Sequence, residues 1–216
     1  MPFMQFLDRS DAGRQLATLL SAYANRGDVT VLALPRGGVP VAYEVASALH
    51  APLEVFLVRK LGVPGHSELA MGAIASGGVR VLSDDIITQL GIPQAAVEEV
   101  TARERIELDR RDRMYRGGRP PAALDGRIVI LVDDGLATGA TMEAAILAAR
   151  QAKPARIVVA APVGAPDTCD RLAAVADEVV CVATPDPFQA VGLWYERFDQ
   201  TSDEEVIELL RRAAAR

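Results

Sequence analysis

The sequence is poor in the residues from which several common kinds of site are built. Its 216 residues include only two cysteines, two histidines and one tryptophan. Two cysteines do not make the disulfide framework of a small secreted domain. With His50 and His66 as the only histidines, no Cys/His spacing indicates a zinc site. This composition is thus typical of a protein in a reducing compartment, and it indicates no transition-metal site.

Long apolar runs and an excess of positive charge are also absent. No run reaches the roughly 20 residues of a membrane helix, and residues 1–10 lack the basic start and apolar core of a signal peptide. We therefore expect a cytoplasmic protein without a membrane partner. The net charge of −6 argues against broad nucleic-acid binding, which usually needs a basic face. Binding of a small anionic ligand remains compatible with this net charge, because such binding depends on the local charge.

Three familiar phosphate and hydrolase motifs are missing too. There is no Walker-type phosphate loop, no G-x-G-x-x-G after a strand and no G-x-S-x-G turn. Their absence disfavours a nucleoside triphosphatase, a dinucleotide oxidoreductase and an α/β-hydrolase.

Five continuous apolar runs predict the strands of a sheet that is covered on both faces. Helical stretches lie between most of them, and this βαβ succession implies parallel pairing with right-handed crossovers. We predict a three-layer α/β fold with a mostly parallel five-stranded sheet, in one domain that spans residues 1–216 with its core at about 28–185. The predicted strands are 29–34, 53–58, 128–132, 157–163 and 179–183, and the helices between them 39–49, 141–152 and 166–174.

The interval before residue 128 is too long for a simple crossover and predicts an insertion at about 61–127. Gly77 and Gly78 separate two short apolar runs, which indicates a hairpin of strands 71–75 and 79–83. A long charged helix follows at 93–116. Glycine-rich residues 61–69 should form a mobile lid. At the chain ends we expect an arm or helix at 3–20 and, within an aromatic and helical segment at 186–216, a final helix at 204–214.

Residues 128–141 carry the strongest functional signal. Five aliphatic residues predict a buried strand, and Asp133 and Asp134 stand at its carboxyl end, where open α/β sheets bind ligands. A Thr/Gly loop then opens a helix at about Thr141, whose backbone N–H groups suit phosphate. Caps and turns also use Asp, Thr and Gly, but two acids at a strand end are costly without a partner. The segment therefore fits a sugar phosphate.

Two further segments carry positive charge or glycine at strand ends. Arg36, Gly37 and Gly38 lie between the first strand and a helix start, which predicts an anion-binding nest. Arg59 and Lys60 end the second predicted strand and suit a diphosphate. The plainer interpretation of Gly37 and Gly38 is a tight turn, and that of Arg59 and Lys60 is ordinary surface charge.

Taken in this order, the three segments resemble the type I phosphoribosyltransferase family. Its motif for phosphoribosyl diphosphate (PRPP) has the same strand, acid pair and Thr/Gly loop, and its diphosphate loop also follows the first core strand. The sequence departs from the motif at two positions. Gly135 stands where the family usually has an aliphatic residue, and Ala140 stands where glycine is more common. The resemblance implies an enzyme that transfers a phosphoribosyl group from PRPP to a nitrogen acceptor, a nucleobase or an amine, and releases diphosphate.

The resemblance also implies a role for each segment. Asp133 and Asp134 would hold the ribose hydroxyls, directly or through a metal. Magnesium would be bound by diphosphate oxygens and waters. The resemblance also implies a homodimer and a role in nucleotide metabolism. The implied 5-phosphate ligands are Ala137, Thr138, Gly139, Ala140 and Thr141, and the implied diphosphate ligands are Arg36, Gly37, Gly38, Arg59 and Lys60.

Some alternatives stay open from the sequence. Phe188, Trp194 and Tyr195 are either the acceptor pocket or a satellite of the core, and His66 is a loop histidine more readily than a catalytic one. A non-catalytic protein that senses PRPP or a nucleotide is the alternative function, although no DNA-binding extension accompanies the motifs.

Overall fold

The computed structural model describes residues 5–216, apart from the side chains of residues 67 and 68. Two sheets are present. The first has five parallel strands in the order β2-β1-β6-β7-β8, and the second has three antiparallel strands in the order β3-β4-β5. The strands are β1 (Val29–Ala33), β2 (Leu53–Val55), β3 (Val58–Val63), β4 (His66–Ala75), β5 (Val79–Leu82), β6 (Ile128–Val132), β7 (Arg156–Val163) and β8 (Glu178–Ala183).

The predicted three-layer α/β fold with a five-stranded parallel sheet is confirmed. The helices are α1 (Arg9–Leu19), α2 (Gly38–Leu49), α3 (Asp84–Gln89), α4 (Gln94–Arg116), α5 (Ala140–Arg150), α6 (Pro166–Ala173) and α7 (Asp203–Ala214). Alternate residues of the central strand β6 face two different cores, as the period of a strand requires. Ile130 packs in the core that contains Val41 of α2, and Leu131 in the core that contains Ile146 of α5.

The insertion between β2 and β6 differs from its prediction in two respects. The second predicted strand, 53–58, ends at Val55, and Arg59 and Lys60 lie inside β3 of the second sheet. The predicted lid at 61–69 is not a loop but the hairpin of β3 and β4, which turns at Pro64 and Gly65. The apolar run concealed the change of sheet, because a continuous run does not record which strand it pairs with. The predicted hairpin of β4 and β5 and the long helix α4 are confirmed.

A segment near the start of the chain meets a segment before α7 at the carboxyl edge of the large sheet. Phe6 forms a parallel bridge with Tyr195, and the N–H of Phe6 donates to Trp194 O over 2.8 Å. An arm therefore precedes α1, whose N-cap is Asp8; the predicted start at residue 3 lies outside the described residues. Within residues 5–216, no helix combines the length and apolar character needed to cross a bilayer.

Candidate active site

The acid pair lies directly beneath the glycine loop that follows β1. Asp133 and Asp134 come straight after β6, and the Asp134 N–H donates to Asp133 Oδ1 over 2.8 Å. A Cβ on Gly37 would overlap Asp134 Oδ2, and one on Gly38 would stand 3.2 Å from Asp133 Oδ1. Only glycine permits this approach, so the structure brings two of the three predicted segments together.

Burial governs the electrostatics of the two acids. It raises the pKa of Asp133 well above the ordinary value, and the negative charge of Asp134 raises that pKa further. Burial also raises the pKa of Asp134, while the guanidinium of Arg9 opposes the rise. The site therefore resists carrying two uncompensated negative charges, as expected for adjacent carboxylates in a poorly solvated place.

Arg9 contacts the acid pair and was not predicted from the sequence. Its Nε donates to Asp134 Oδ2 over 2.8 Å, its Nη1 donates to Asp199 O over 2.6 Å, and its guanidinium carbon lies 4.0 Å from the centre of the Phe198 ring. Nothing in the sequence indicated this role, because the predicted arm or helix at 3–20 did not locate the start of α1. In the structure Arg9 is the first residue of that helix, where the helix dipole disfavours a cation, and the carboxylate of Asp134 offsets that cost.

The C-terminal aromatic residues pack around the acid pair. The Tyr195 hydroxyl donates to the backbone oxygen of Asp134 over 2.6 Å, and burial raises the pKa of that hydroxyl. The Tyr195 ring lies between Phe6 and Phe198, with ring centres 5.5 and 4.9 Å away. Phe188 and Trp194 belong to the same small hydrophobic cluster. Tyr195 is thus buried, whereas Phe188 and Trp194 are only partly buried against the cluster, and the acceptor pocket stays a prediction.

Helix α6 braces the predicted phosphate loop, residues 137–141. Gly139 has a φ of +72° and is the N-cap of α5. Thr168 Oγ1 donates to Ala137 O over 2.6 Å, and Arg171 Nη2 donates to Thr138 O over 2.6 Å. These bonds engage two loop carbonyl oxygens, while the first N–H groups of a helix lack intrahelical partners and are available to an anion. Thr168 and Arg171 were not predicted from the sequence.

A cavity of about 760 Å³ lies between the β3–β4 hairpin, α4 and the start of α5. Arg59, Lys60 and Thr141 line it, so the predicted basic pair does face the phosphate loop. Arg59 Nη2 is already paired with Glu104 Oε2 at 2.6 Å. The other lining residues are Pro35, Val58, Gly62, Val63, Pro64, Gly65, Ala96, Glu99, Val100, Arg103, Glu104 and Arg111.

Two further candidates are Arg36, which lies near the start of α7, and His66, which lies at the hairpin turn. The peptide bond between Pro35 and Arg36 is cis, and Arg36 Nη1 lies 3.7 Å from Asp203 Oδ1 at the start of α7. His66 stands exposed at the hairpin turn.

The donor set at the site does not form a metal cage. Among the residues that the structure describes, no group of three or more His, Cys, Asp or Glu side chains could hold a metal ion. Asp133 and Asp134 supply carboxylate oxygens, and Arg9 already engages one of them. A hard cation that takes most of its ligands from a bound diphosphate and water fits this arrangement.

Comparison with known proteins identifies the family. A family model described as "Phosphoribosyl transferase domain" matches residues 5–196. The chain belongs to this family. The type I phosphoribosyltransferase resemblance that rested on three short segments is thereby confirmed.

This member of the phosphoribosyltransferase family is similar to curated proteins and to a protein of known structure. It is 53% identical over 208 residues to "Putative phosphoribosyl transferase Rv0571c" of Mycobacterium tuberculosis, covering 96% of this chain and 47% of that protein. The chain therefore spans about half the length of the curated relatives that it matches. The crystal structure of TT1426 from Thermus thermophilus superposes with a TM-score of 0.90 at 46% identity, covering 97% of this chain and 99% of that one.

The departure of this chain from the family motif at Gly135 has a structural reason. A Cβ on Gly135 would overlap Val191 Cγ1 and stand 2.6 Å from Val191 Cγ2. Val191, from the C-terminal segment, fills the space that a side chain at position 135 would need. The two positions are therefore in direct contact, and Gly135 directly follows the acid pair in the sequence.

We expect Gly135→Ala to destabilise the protein by about 1–3 kcal/mol, the usual cost of overpacking. Val191→Ala should make Gly135→Ala tolerable, so the double variant should be more stable than the sum of the single effects by about 0.5–3 kcal/mol. Urea denaturation of the wild type and the three variants measures this coupling. Strictly additive effects would show that Val191 does not limit position 135.

Asp133→Asn should stabilise the ligand-free protein in a pH-dependent way. Because the folded-state pKa of Asp133 lies above its ordinary value of 3.8, the unfolded chain releases this proton at lower pH than the native protein. The resulting penalty is absent below 3.8 and grows as the pH rises toward the raised native value. We expect a gain of about 0.5–2 kcal/mol at pH 7 and almost none at pH 4.

Denaturant titrations at both pH values measure this gain, with exposed Asp125→Asn as the control. That control should stay within about 0.5 kcal/mol of wild type at each pH. A gain for Asp133→Asn that is equal at pH 4 and pH 7 contradicts the burial argument.

Proposed function

We propose that this protein transfers a phosphoribosyl group from PRPP to a nitrogen acceptor and releases diphosphate. One observation carries the proposal: the Asp133–Asp134 pair lies against the Gly37–Gly38 loop and opens directly into the phosphate loop at 137–141. This order of protein groups matches a sugar phosphate with a diphosphate. Its phosphate would lie at the loop 137–141, its vicinal hydroxyls at the acid pair, and its diphosphate at the glycine loop. Family membership supports the same chemistry.

The reaction breaks the bond between ribose C1 and a diphosphate oxygen and forms a bond from C1 to nitrogen with inversion. Positive charge develops on the ribose ring as negative charge develops on the diphosphate. Asp133 and Asp134 would hold the ribose hydroxyls, and the N–H groups of 137–141 the 5-phosphate. Arg36, Arg59 and Lys60 would neutralise the leaving group. Positioning and electrostatics then supply most of the rate enhancement.

Arg59 and Arg36 stand close to carboxylates of the protein itself. Arg59 pairs with Glu104, and Arg36 lies near Asp203. Diphosphate is a stronger competitor than a carboxylate for a guanidinium, since it offers several charged oxygens. For Arg59 and Arg36, binding of diphosphate would therefore replace one anionic partner with another, which lowers the cost of placing positive charge in the cleft.

Magnesium, a homodimer and a cytoplasmic location stay predictions of this proposal. When bound with diphosphate, magnesium would neutralise charge on the leaving group, and Asp133 and Asp134 are the protein oxygens that would approach it. Calorimetry of PRPP with and without magnesium, and sedimentation of the free protein, would test the first two.

The decisive experiment measures diphosphate release from PRPP and magnesium with a panel of nucleobases and amines. We expect turnover with at least one acceptor. In Asp134→Asn, the loss of a hydrogen bond to a charged group should cost about 1.5–3 kcal/mol of PRPP binding or of transition-state stabilisation, with Asp125→Asn as the matched control. PRPP binding without release across the panel would favour the sensing protein, and the absence of PRPP binding would contradict both functions.

Hypoxanthine and guanine should be poor acceptors. In the branch of the family that uses them, an Asp in the phosphate loop manages the proton at purine N7, and the matching residue here is Ala137. A methyl group cannot exchange a proton, and general acid–base catalysis typically contributes about 10²–10⁴-fold in rate. Steady-state comparison of kcat/KM across the panel measures this preference. Efficient turnover of hypoxanthine or guanine would refute it.

A further inference from the structure

We propose that Arg9 is a positioning residue for the sugar, which holds the Asp134 carboxylate where it receives a ribose hydroxyl. The inference rests on the proposed function and adds the first helix to its site. Arg9 lies 125 residues from Asp134 in the chain, yet the two side chains form a pair at 2.8 Å in which both are largely buried.

Two contacts besides the one with Asp134 hold the Arg9 guanidinium. Its Nη1 donates to Asp199 O over 2.6 Å, and its central carbon lies over the Phe198 ring, 4.0 Å from the ring centre. Its Nε would stand 3.3 Å from a Cβ on Gly37, so it also borders the diphosphate loop. A side chain held at several points loses little further freedom when the ligand binds, and it can therefore fix the rotamer of its acidic partner.

The contact uses one carboxylate oxygen. Arg9 engages Asp134 Oδ2, and the Asp134 main chain is fixed separately, by the Tyr195 hydroxyl on its carbonyl oxygen. Both restraints come from the two segments that meet at this edge of the sheet. The orientation of Asp134 thus depends on the N-terminal helix and the C-terminal segment, rather than on β6 alone.

Lysine is a poor substitute at this position. The observed contacts need Nε, Nη1 and a planar face at the same time, and an ammonium group offers a single charged point. Arg9→Lys keeps the charge but loses the geometry. Comparison of Lys with Gln at position 9 therefore separates neutralisation of Asp134 from its orientation.

The test is a ligand-deletion cycle measured by calorimetry. Ribose 5-phosphate, 2-deoxyribose 5-phosphate and 3-deoxyribose 5-phosphate are titrated into wild type, Arg9→Gln, Arg9→Lys and Asp134→Asn. Wild type should prefer ribose 5-phosphate over at least one deoxy sugar by about tenfold or more, the range of a hydrogen bond to a charged group. Arg9→Gln should reduce that preference to within about threefold, close to Asp134→Asn, and Arg9→Lys should recover only part of it.

Arg14→Ala is the matched control. Arg14 lies on the same helix, is more than half exposed and is 3.8 Å from Glu44, and its loss should leave the preference unchanged. If Arg9→Gln does not fold by circular dichroism, Arg9→Lys carries the test, and a wild-type preference in that variant would overturn the inference.

The outcomes separate the two proposals. An unchanged ribose preference in folded Arg9→Gln, even with weaker binding of every sugar, would overturn the positioning role and leave the proposed function standing. Failure of wild type to bind ribose 5-phosphate or PRPP would instead overturn the proposed function.

Discussion

Two carboxylates placed side by side at the end of a buried strand impose the constraint on which the rest of the site depends. Neither Asp133 nor Asp134 has full access to water, and burial raises the pKa of both. The fold compensates from three directions: the Asp134 N–H bonds to Asp133, Arg9 pairs with Asp134, and the glycine loop leaves the acids room without adding charge. The compensation is incomplete, as expected where stability is exchanged for a binding site.

That constraint explains why the segments around Phe6 and Tyr195 converge where they do. The parallel sheet presents its acids at the carboxyl edge, and a side chain from another part of the chain must neutralise them. Phe6, Tyr195 and Phe198 form an apolar wall there, on which the Arg9 guanidinium lies. The low dielectric of such a wall strengthens the Arg9–Asp134 attraction. The same aromatic residues therefore contribute to both packing and electrostatics at this edge. Phe198 lies against the Arg9 guanidinium, and Tyr195 bonds to the main chain of Asp134.

The parts that were predictable from the sequence are those that local patterns encode. The continuous runs around β1 and β6 predict buried parallel strands, and Asp133, Gly37 and Gly38 follow those strands within a few residues. Local patterns fail where tertiary pairing decides. The chain crosses from β2 to β3, and so between two sheets, at Phe56 and Leu57, and both residues are apolar, so no polar break marks the change. Arg9, Thr168 and Arg171 reach the site from helices distant in the sequence, and no local pattern indicates their partners.

Position 135 shows how a departure from a family pattern should be interpreted. Taken alone, a glycine where an aliphatic residue is usual suggests a loosened loop. In the folded chain, Val191 occupies the volume that a side chain at position 135 would need, and Val191 packs against the cluster that contains Phe6 and Tyr195. Because close packing conserves volume rather than position, a motif residue and its tertiary neighbour can exchange the task of filling a space. The same logic applies to Arg9, since the requirement at Asp134 is for a buried, oriented cation, and the fold can supply it from any element that reaches that edge.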